Sequence, residues 1–214
     1  MKGIVLDCAV AGSWNFREPW DSPKQGKCVR VAWQAFGPTG VYEEGCLIAI
    51  PDDATICTGE NLERGGISRA GLEREGFVGT GQRESSFWNQ LEQAEIVVTF
   101  AQDFHLGALK GFAASQGVIM DDFRRPQFAD VMVLATPLVK IPNKGGKRGY
   151  SFPPMDKAYD ALVRDNGPLA AKRRDAITCP EPVRAFGLVQ VRAVGAIYRA
   201  IRKPREPDAA SFSM

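Results

Sequence analysis

The chain has 214 residues, of which 44% are hydrophobic and 24% are charged. These values are typical of one globular domain with a core of its own. No apolar run is long enough to span a bilayer, and the N-terminus lacks the layout of a signal peptide, so we expect no membrane association. The expected location is cytoplasmic, or otherwise inside a particle such as a virion.

The five cysteines are widely spaced, and no two of them form a Cys-x-x-Cys pair. This pattern argues against a zinc site and against a disulfide framework. We predict reduced thiols that pack as small apolar groups, with Cys8 buried in the first strand.

Charge divides the chain into two unlike parts. Residues 1–139 contain 12 Lys/Arg and 18 Asp/Glu, a net charge of −6, whereas residues 140–205 contain 15 and 5, a net charge of +10. A basic region of this size is typical of proteins that bind phosphate backbones. The alternative is a solvated basic face with no partner.

The N-terminal third predicts an antiparallel meander of three strands. Residues 3–9 run apolar without alternation, as in a central strand that is covered on both faces. A long loop rich in glycine, proline and tryptophan follows. Residues 29–36 and 41–50 are then predicted to form two further strands, joined by the turn Gly37-Pro38-Thr39-Gly40.

The rest of the chain predicts mostly helices. The segment 56–76 is irregular, with Ser68 as the cap of a short helix. A helix is predicted to begin at Ser85 or Ser86 and to end at Ala94. Apolar residues at helical spacing and residues typical of helix ends predict further helices at 104–115, 130–139, 156–165 and 182–202. Strands are predicted at 95–100 and 118–120. We expect one domain over residues 1–204 and a loose tail over 205–214.

Asp7 stands near the carboxyl end of the first predicted strand. In open α/β sheets, ligands bind just beyond this end of the strands. Asp7 is therefore a candidate site residue.

Basic and aromatic residues in the second part of the chain form a candidate binding surface. The segment 143–150 is glycine-rich and basic but lacks the strand and the Lys-Ser/Thr ending of a P-loop, so we reject nucleotide binding there. A loop that contacts a phosphate backbone, with an aromatic ring stacked on a base, fits better; a disordered surface loop is the alternative. With the basic cluster at 172–174, the candidate residues are Lys144, Lys147, Arg148, Tyr150, Lys172, Arg173 and Arg174.

The order of predicted elements resembles the RNase H-like fold and, in its details, the DEDD superfamily of 3′–5′ exonucleases of the proofreading type. The family's first strand ends in Asp-x-Glu, which Asp7-Cys8-Ala9 resembles. Its Gly-Ile-Thr segment resembles Gly66-Ile67-Ser68, and its second motif resembles the segment 97–109. The resemblance covers nearly the whole chain. It implies an α/β fold with a mixed sheet, an antiparallel three-strand meander and flanking helices.

The resemblance also implies that most of the catalytic groups are missing. The family holds two divalent metal ions, Mg²⁺ or Mn²⁺, with four carboxylates. Asp7 matches the first carboxylate, but Ala9 stands in place of the Glu and His105 in place of the second-motif Asp. Residues 187–196 of the closing helix contain no acid and no histidine. A lone histidine at a helix start is more often a hydrogen-bonded structural residue than a metal ligand, and we interpret His105 so.

Three hypotheses remain open. The leading one is a catalytically inactive relative that needs no cofactor and binds single-stranded DNA or RNA through its basic surface. The second is an active, divergent exonuclease whose Mg²⁺ or Mn²⁺ is held by Asp7 and Asp103, with Asp121, Asp122 and Asp130 as further candidates. The third is a structural subunit that binds a protein such as a polymerase or a virion component.

Overall fold

The computed structural model describes residues 1–50, 52, 54–76, 86–120, 126–144, 148–163 and 168–203. The strands within them are β1 (Gly3–Ala11), β2 (Lys27–Gly37), β3 (Gly40–Ile48), β4 (Ile96–Thr99) and β5 (Gln127–Asp130). The helices within them are α1 (Gly59–Gly65), α2 (Arg69–Glu75), α3 (Ser86–Gln93), α4 (Gln102–Ser115), α5 (Val131–Val139), α6 (Met155–Leu162), α7 (Leu169–Ile177) and α8 (Pro182–Arg202).

The five strands form one mixed sheet in the order β3-β2-β1-β4-β5. β1, β2 and β3 pair antiparallel, whereas β4 runs parallel to β1 and β5 runs parallel to β4. The predicted fold class, an α/β protein with an antiparallel meander and flanking helices, is confirmed. β1 is the central strand, so its carboxyl end lies in the middle of one edge of the sheet.

β1 is covered on both faces, which explains its continuous apolar sequence. Val5 faces the core that α8 supplies, while Ile4 and Leu6 face the opposite core, built from α3 and α4. All three side chains are at most 1% exposed. Burying an aliphatic side chain contributes about 1.5–3 kcal/mol, so these contacts hold the strand firmly in place beneath the site.

The carboxylate of Asp130 joins the beginnings of two helices. It caps α5 by accepting a hydrogen bond from the Met132 N–H at 2.9 Å. It also accepts bonds from the N–H groups of Ala101 at 3.2 Å and Gln102 at 3.0 Å, where the chain enters α4. Ala101 has φ +71°, an uncommon conformation for a residue with a side chain, and these bonds hold the turn in it. Asp130 thereby fixes the position at which α4 starts.

Three elements differ from the sequence predictions. The segment 56–76 contains two helices, α1 and α2, and the predicted cap Ser68 is confirmed at the start of α2. The fifth strand is β5 rather than residues 118–120, and α7 was not predicted. β5 escaped prediction because it is short and lies at the sheet edge, where its residues are only partly buried and show little pattern.

Cys8 is 3% exposed, which confirms the prediction that it is buried. The five cysteines are all free thiols. Along the described parts of the chain, no helix combines the length and apolarity required to span a membrane.

Candidate functional site

A cleft of about 530 Å³ opens at the carboxyl end of β1. Its walls come from β1 and the loop that follows it, from α1, from the start of α4, and from single residues of β2, α6 and α8. Asn61 of α1 holds the loop in place, because its side-chain amide donates to the carbonyl oxygens of Val10 and Gly12, each at 3.3 Å. The cleft lies where the topology of the sheet predicts a ligand site.

Asp7 lies at the floor of this cleft in a buried ion pair with Arg30 of β2. An Arg30 Nη2 atom donates to the Asp7 Oδ2 atom at 2.8 Å, and the two residues are 1% and 4% exposed. The other terminal nitrogen of the guanidinium donates to the carbonyl oxygens of Gly65, at the end of α1, and of Val183, at 3.3 Å. The guanidinium is therefore held by β1, α1 and α8 at once.

Two small residues leave the space that the Arg30 side chain fills. Ala9 lies directly opposite Arg30 in the ladder between β1 and β2, so their side chains share one face of the sheet. Gly187 of α8 packs against the arginine, since a Cβ atom at this position would come within 2.9 Å of its Cδ and Nε atoms. The Phe186 ring lies 5.6 Å from the guanidinium carbon, close enough for a cation–π contact.

His105 is a neutral, hydrogen-bonded residue of the cleft wall. The backbone N–H of Cys8 donates to its Nδ1 atom at 2.9 Å, which requires that this nitrogen carry no proton. Burial lowers the pKa of His105, against the opposite effect of the Asp7 charge. This geometry agrees with the interpretation of His105 as a structural residue that ties α4 to β1.

Asp103 does not lie with Asp7. It is exposed on α4 and lines a different cleft, of about 560 Å³, together with Phe128 and Asp130. The Asp130 carboxylate is occupied in capping, and Asp121 and Asp122 lie outside the described residues.

The residues of the cleft do not fit the divalent metal ions that the exonuclease resemblance implies. Over the parts of the chain that the structure describes, no group of three or more His, Cys, Asp or Glu residues is arranged to hold a metal ion. A hard cation needs several oxygen ligands, and the one carboxylate at the cleft floor already faces a guanidinium.

The predicted basic and aromatic residues divide into side chains that are exposed and side chains that bond within the protein. Lys144, Arg148, Tyr150 and Arg174 are exposed, and Lys147 lies outside the described residues. Lys172 donates to the Tyr159 hydroxyl at 2.9 Å. Arg173 pairs with Asp156 and donates from Nε to the Gln190 side chain at 2.8 Å, so its charge is largely used within the protein.

Sequence reasoning missed two residues that line the cleft. Phe16 is 70% exposed, which is unusual for so large an apolar side chain, and Arg64 of α1 lines the same cleft. Trp14, at the same wall, packs edge-on against Phe104 with ring centroids 5.4 Å apart. Only an exposed aromatic in a glycine-rich loop could have signalled Phe16, and such loops are too common to identify a site.

Several solved structures that share this fold are exonucleases. Escherichia coli Exonuclease I in complex with a 5cy-dA13 oligonucleotide superposes with a TM-score of 0.61 at 12% identity, covering 97% of this chain and 41% of its own. Its zinc-bound complex with single-stranded DNA gives 0.61 at 12% identity, covering 96% and 41%. The nuclease domain of 3′hExo, a DEDDh family member bound to rAMP, gives 0.58 at 11% identity, covering 94% and 90%.

The chain thus spans about two fifths of the length of Exonuclease I and nearly all of the 3′hExo nuclease domain. At these identities the likeness establishes the exonuclease-like fold. No protein-family model and no curated protein matches the sequence.

Breaking the buried ion pair should be costly. Arg30→Met is expected to lower the free energy of unfolding by about 3–5 kcal/mol, because it leaves the Asp7 carboxylate buried without a partner. The double variant with Asp7→Asn removes both charges at similar volume, so the two losses should couple by at least about 1.5 kcal/mol. Urea denaturation of the four proteins measures this coupling, and losses that simply add would contradict it.

Stability should fall as the pH drops below about 6.5, because unfolded His105 takes up a proton that the folded residue, with its lowered pKa, does not. The expected loss between pH 7 and pH 5.5 is up to about 1 kcal/mol. His105→Asn keeps an acceptor for the Cys8 N–H and should lack this loss. Since the chain has a single histidine, equal slopes in urea denaturation of the two proteins would contradict the assignment.

Proposed function

We propose that this protein binds single-stranded nucleic acid in an exonuclease-type cleft and does not cleave it. The observation that carries the proposal is the buried ion pair between Asp7 and Arg30. The carboxylate that corresponds to the first metal ligand of the exonucleases is committed to a protein cation. Without metal ions, the two-metal route to phosphodiester hydrolysis lacks its source of hydroxide and of charge stabilisation in this site.

Binding is supported by the fold and by exposed aromatic and basic side chains, of which Phe16 lines the cleft. The exonucleases that share the fold include complexes with single-stranded DNA, and in this chain a cleft opens at the corresponding end of the central strand. Phe16 and Tyr150 are exposed aromatic side chains of the kind on which bases stack. Lys144, Arg148 and Arg174 are exposed cations that would contact phosphates.

The second activity considered from the sequence, a nuclease rebuilt around Asp7 and Asp103, has less support. These two carboxylates line different clefts, and Asp7 is paired. DNA and RNA remain equal candidates as ligands, because contacts to phosphates and to base faces are common to both.

Fluorescence anisotropy of a 3′-labelled single-stranded oligonucleotide tests this proposal. We expect a rise on addition of the protein that stays constant over time with Mg²⁺ or Mn²⁺ present and weakens steeply with added salt. Lys144→Ala with Arg148→Ala should reduce the slope of log K against log salt by about 0.7 for each lost phosphate contact, whereas Lys110→Ala on α4 should not.

Two results would contradict the proposal. A signal that decays only with metal, and not for Asp7→Ala, would establish a nuclease. No rise with DNA or RNA at any salt concentration would exclude nucleic-acid binding and favour a protein partner.

A further inference from the structure

We propose that Arg30 serves as a resident cation in place of metal ions, so that the cleft accepts a phosphate-bearing chain without any divalent metal. This inference rests on the proposed function and specifies which cation the cleft uses for it. It starts from a disagreement: the exonuclease resemblance implies metal ions at the Asp7 carboxylate, whereas the structure has a guanidinium there, 2.8 Å from that carboxylate.

Hydrogen bonds to three elements of the fold hold the Arg30 guanidinium in the site. Its terminal nitrogens donate to Asp7 and to the carbonyl oxygens of Gly65 and Val183. Ala9 and Gly187 supply the space, and the first of them stands where the resemblance expects a second carboxylate. Any larger residue at position 187 would collide with the arginine. A metal ion would have to displace a side chain that three elements hold.

An arginine side chain is a permanent cation at physiological pH, since its guanidinium does not lose its proton there. Among the described residues that line the cleft, the charged ones are two acids and two bases, namely Asp7, Glu60, Arg30 and Arg64. The two on α1 also form a pair, with 2.8 Å between Arg64 Nη1 and Glu60 Oε1. The charges of the lining therefore sum to zero without a metal ion.

This charge balance determines whether the cleft repels an anion. In a site of bare carboxylates, the phosphates of a nucleic acid are repelled until metal ions neutralise the acids. Here Arg30 cancels the Asp7 charge in the free protein, and the exposed cations outside the cleft supply the net attraction. Arg30 acts through Asp7 and through its charge, because at 1% exposure it is closed off from direct contact with a ligand.

The test compares oligonucleotide binding in EDTA and in about 5 mM MgCl₂ at matched ionic strength. Anisotropy should show binding that is no tighter in MgCl₂ than in EDTA, since the site has no metal to lose and Mg²⁺ competes for the phosphates. Binding that is at least about tenfold tighter in Mg²⁺, with the gain lost in Asp7→Asn, would overturn the inference. If no oligonucleotide binds under either condition, the proposed function has failed, and the following measurement then decides the inference.

Thermal unfolding of the free protein provides that independent readout. Because a ligand stabilises the state that binds it, Mg²⁺ or Mn²⁺ at about 5 mM should change the Tm of the wild type by less than about 1 °C relative to EDTA. A larger rise that Asp7→Asn abolishes would place a metal ion at Asp7 and contradict the inference. Neither this measurement nor the EDTA comparison needs a variant at Arg30.

Folded variants of Asp7 and Arg30 provide a further test by oligonucleotide binding. Arg30→Met exposes the cleft to an uncompensated carboxylate, so its binding in EDTA should weaken by about tenfold or more. The double variant Asp7→Asn with Arg30→Met should bind more tightly than Arg30→Met alone, because the pair is again neutral. Equal binding by all three proteins would contradict a role for the Arg30 charge.

Discussion

The buried ion pair between Asp7 and Arg30 is the constraint on which the architecture of this cleft depends. An unpaired buried charge destabilises a protein by several kcal/mol, so each of these two charges can be buried only beside the other. The Asp7 carboxylate lies beneath the cleft with the Arg30 guanidinium facing it at 2.8 Å. The carbonyl oxygens of Gly65 and Val183 complete the arginine's surroundings, so the pair also fixes where α1 ends and where α8 begins.

The position of this ion pair connects the fold to the chemistry of the cleft. The sheet order puts the end of β1 at the edge where α/β proteins bind ligands, and Asp130 and His105 hold α4 against that edge. An exonuclease would gather carboxylates and metal ions there. In this chain the charge is balanced from within, by a residue of β2. The fold and the cleft can thus serve binding without hydrolysis, which is the function we propose.

Most elements of the fold could be predicted because their sequence patterns are local or recur at a regular spacing. The apolar run of β1, the hairpin turn at 37–40 and the spacing of α4 and α8 each indicated their element. β5 and α7 were missed since one is short and partly exposed and the other is highly charged. Arg30 was missed for a different reason: nothing in the sequence links residue 30 to residue 7. Only the register of β1 and β2 brings the two together, and a register cannot be read from one strand alone.

The most direct test of the central claim is a crystal structure of the protein soaked in Mn²⁺, with the anomalous signal of manganese used to locate the ion. The account predicts that the Arg30 guanidinium remains against Asp7 and that no manganese peak lies within about 2.5 Å of an Asp7 oxygen, the range of metal–carboxylate bonds. A peak there, with Arg30 displaced, would mean that the ion pair is a resting state of a metal site and would contradict the account.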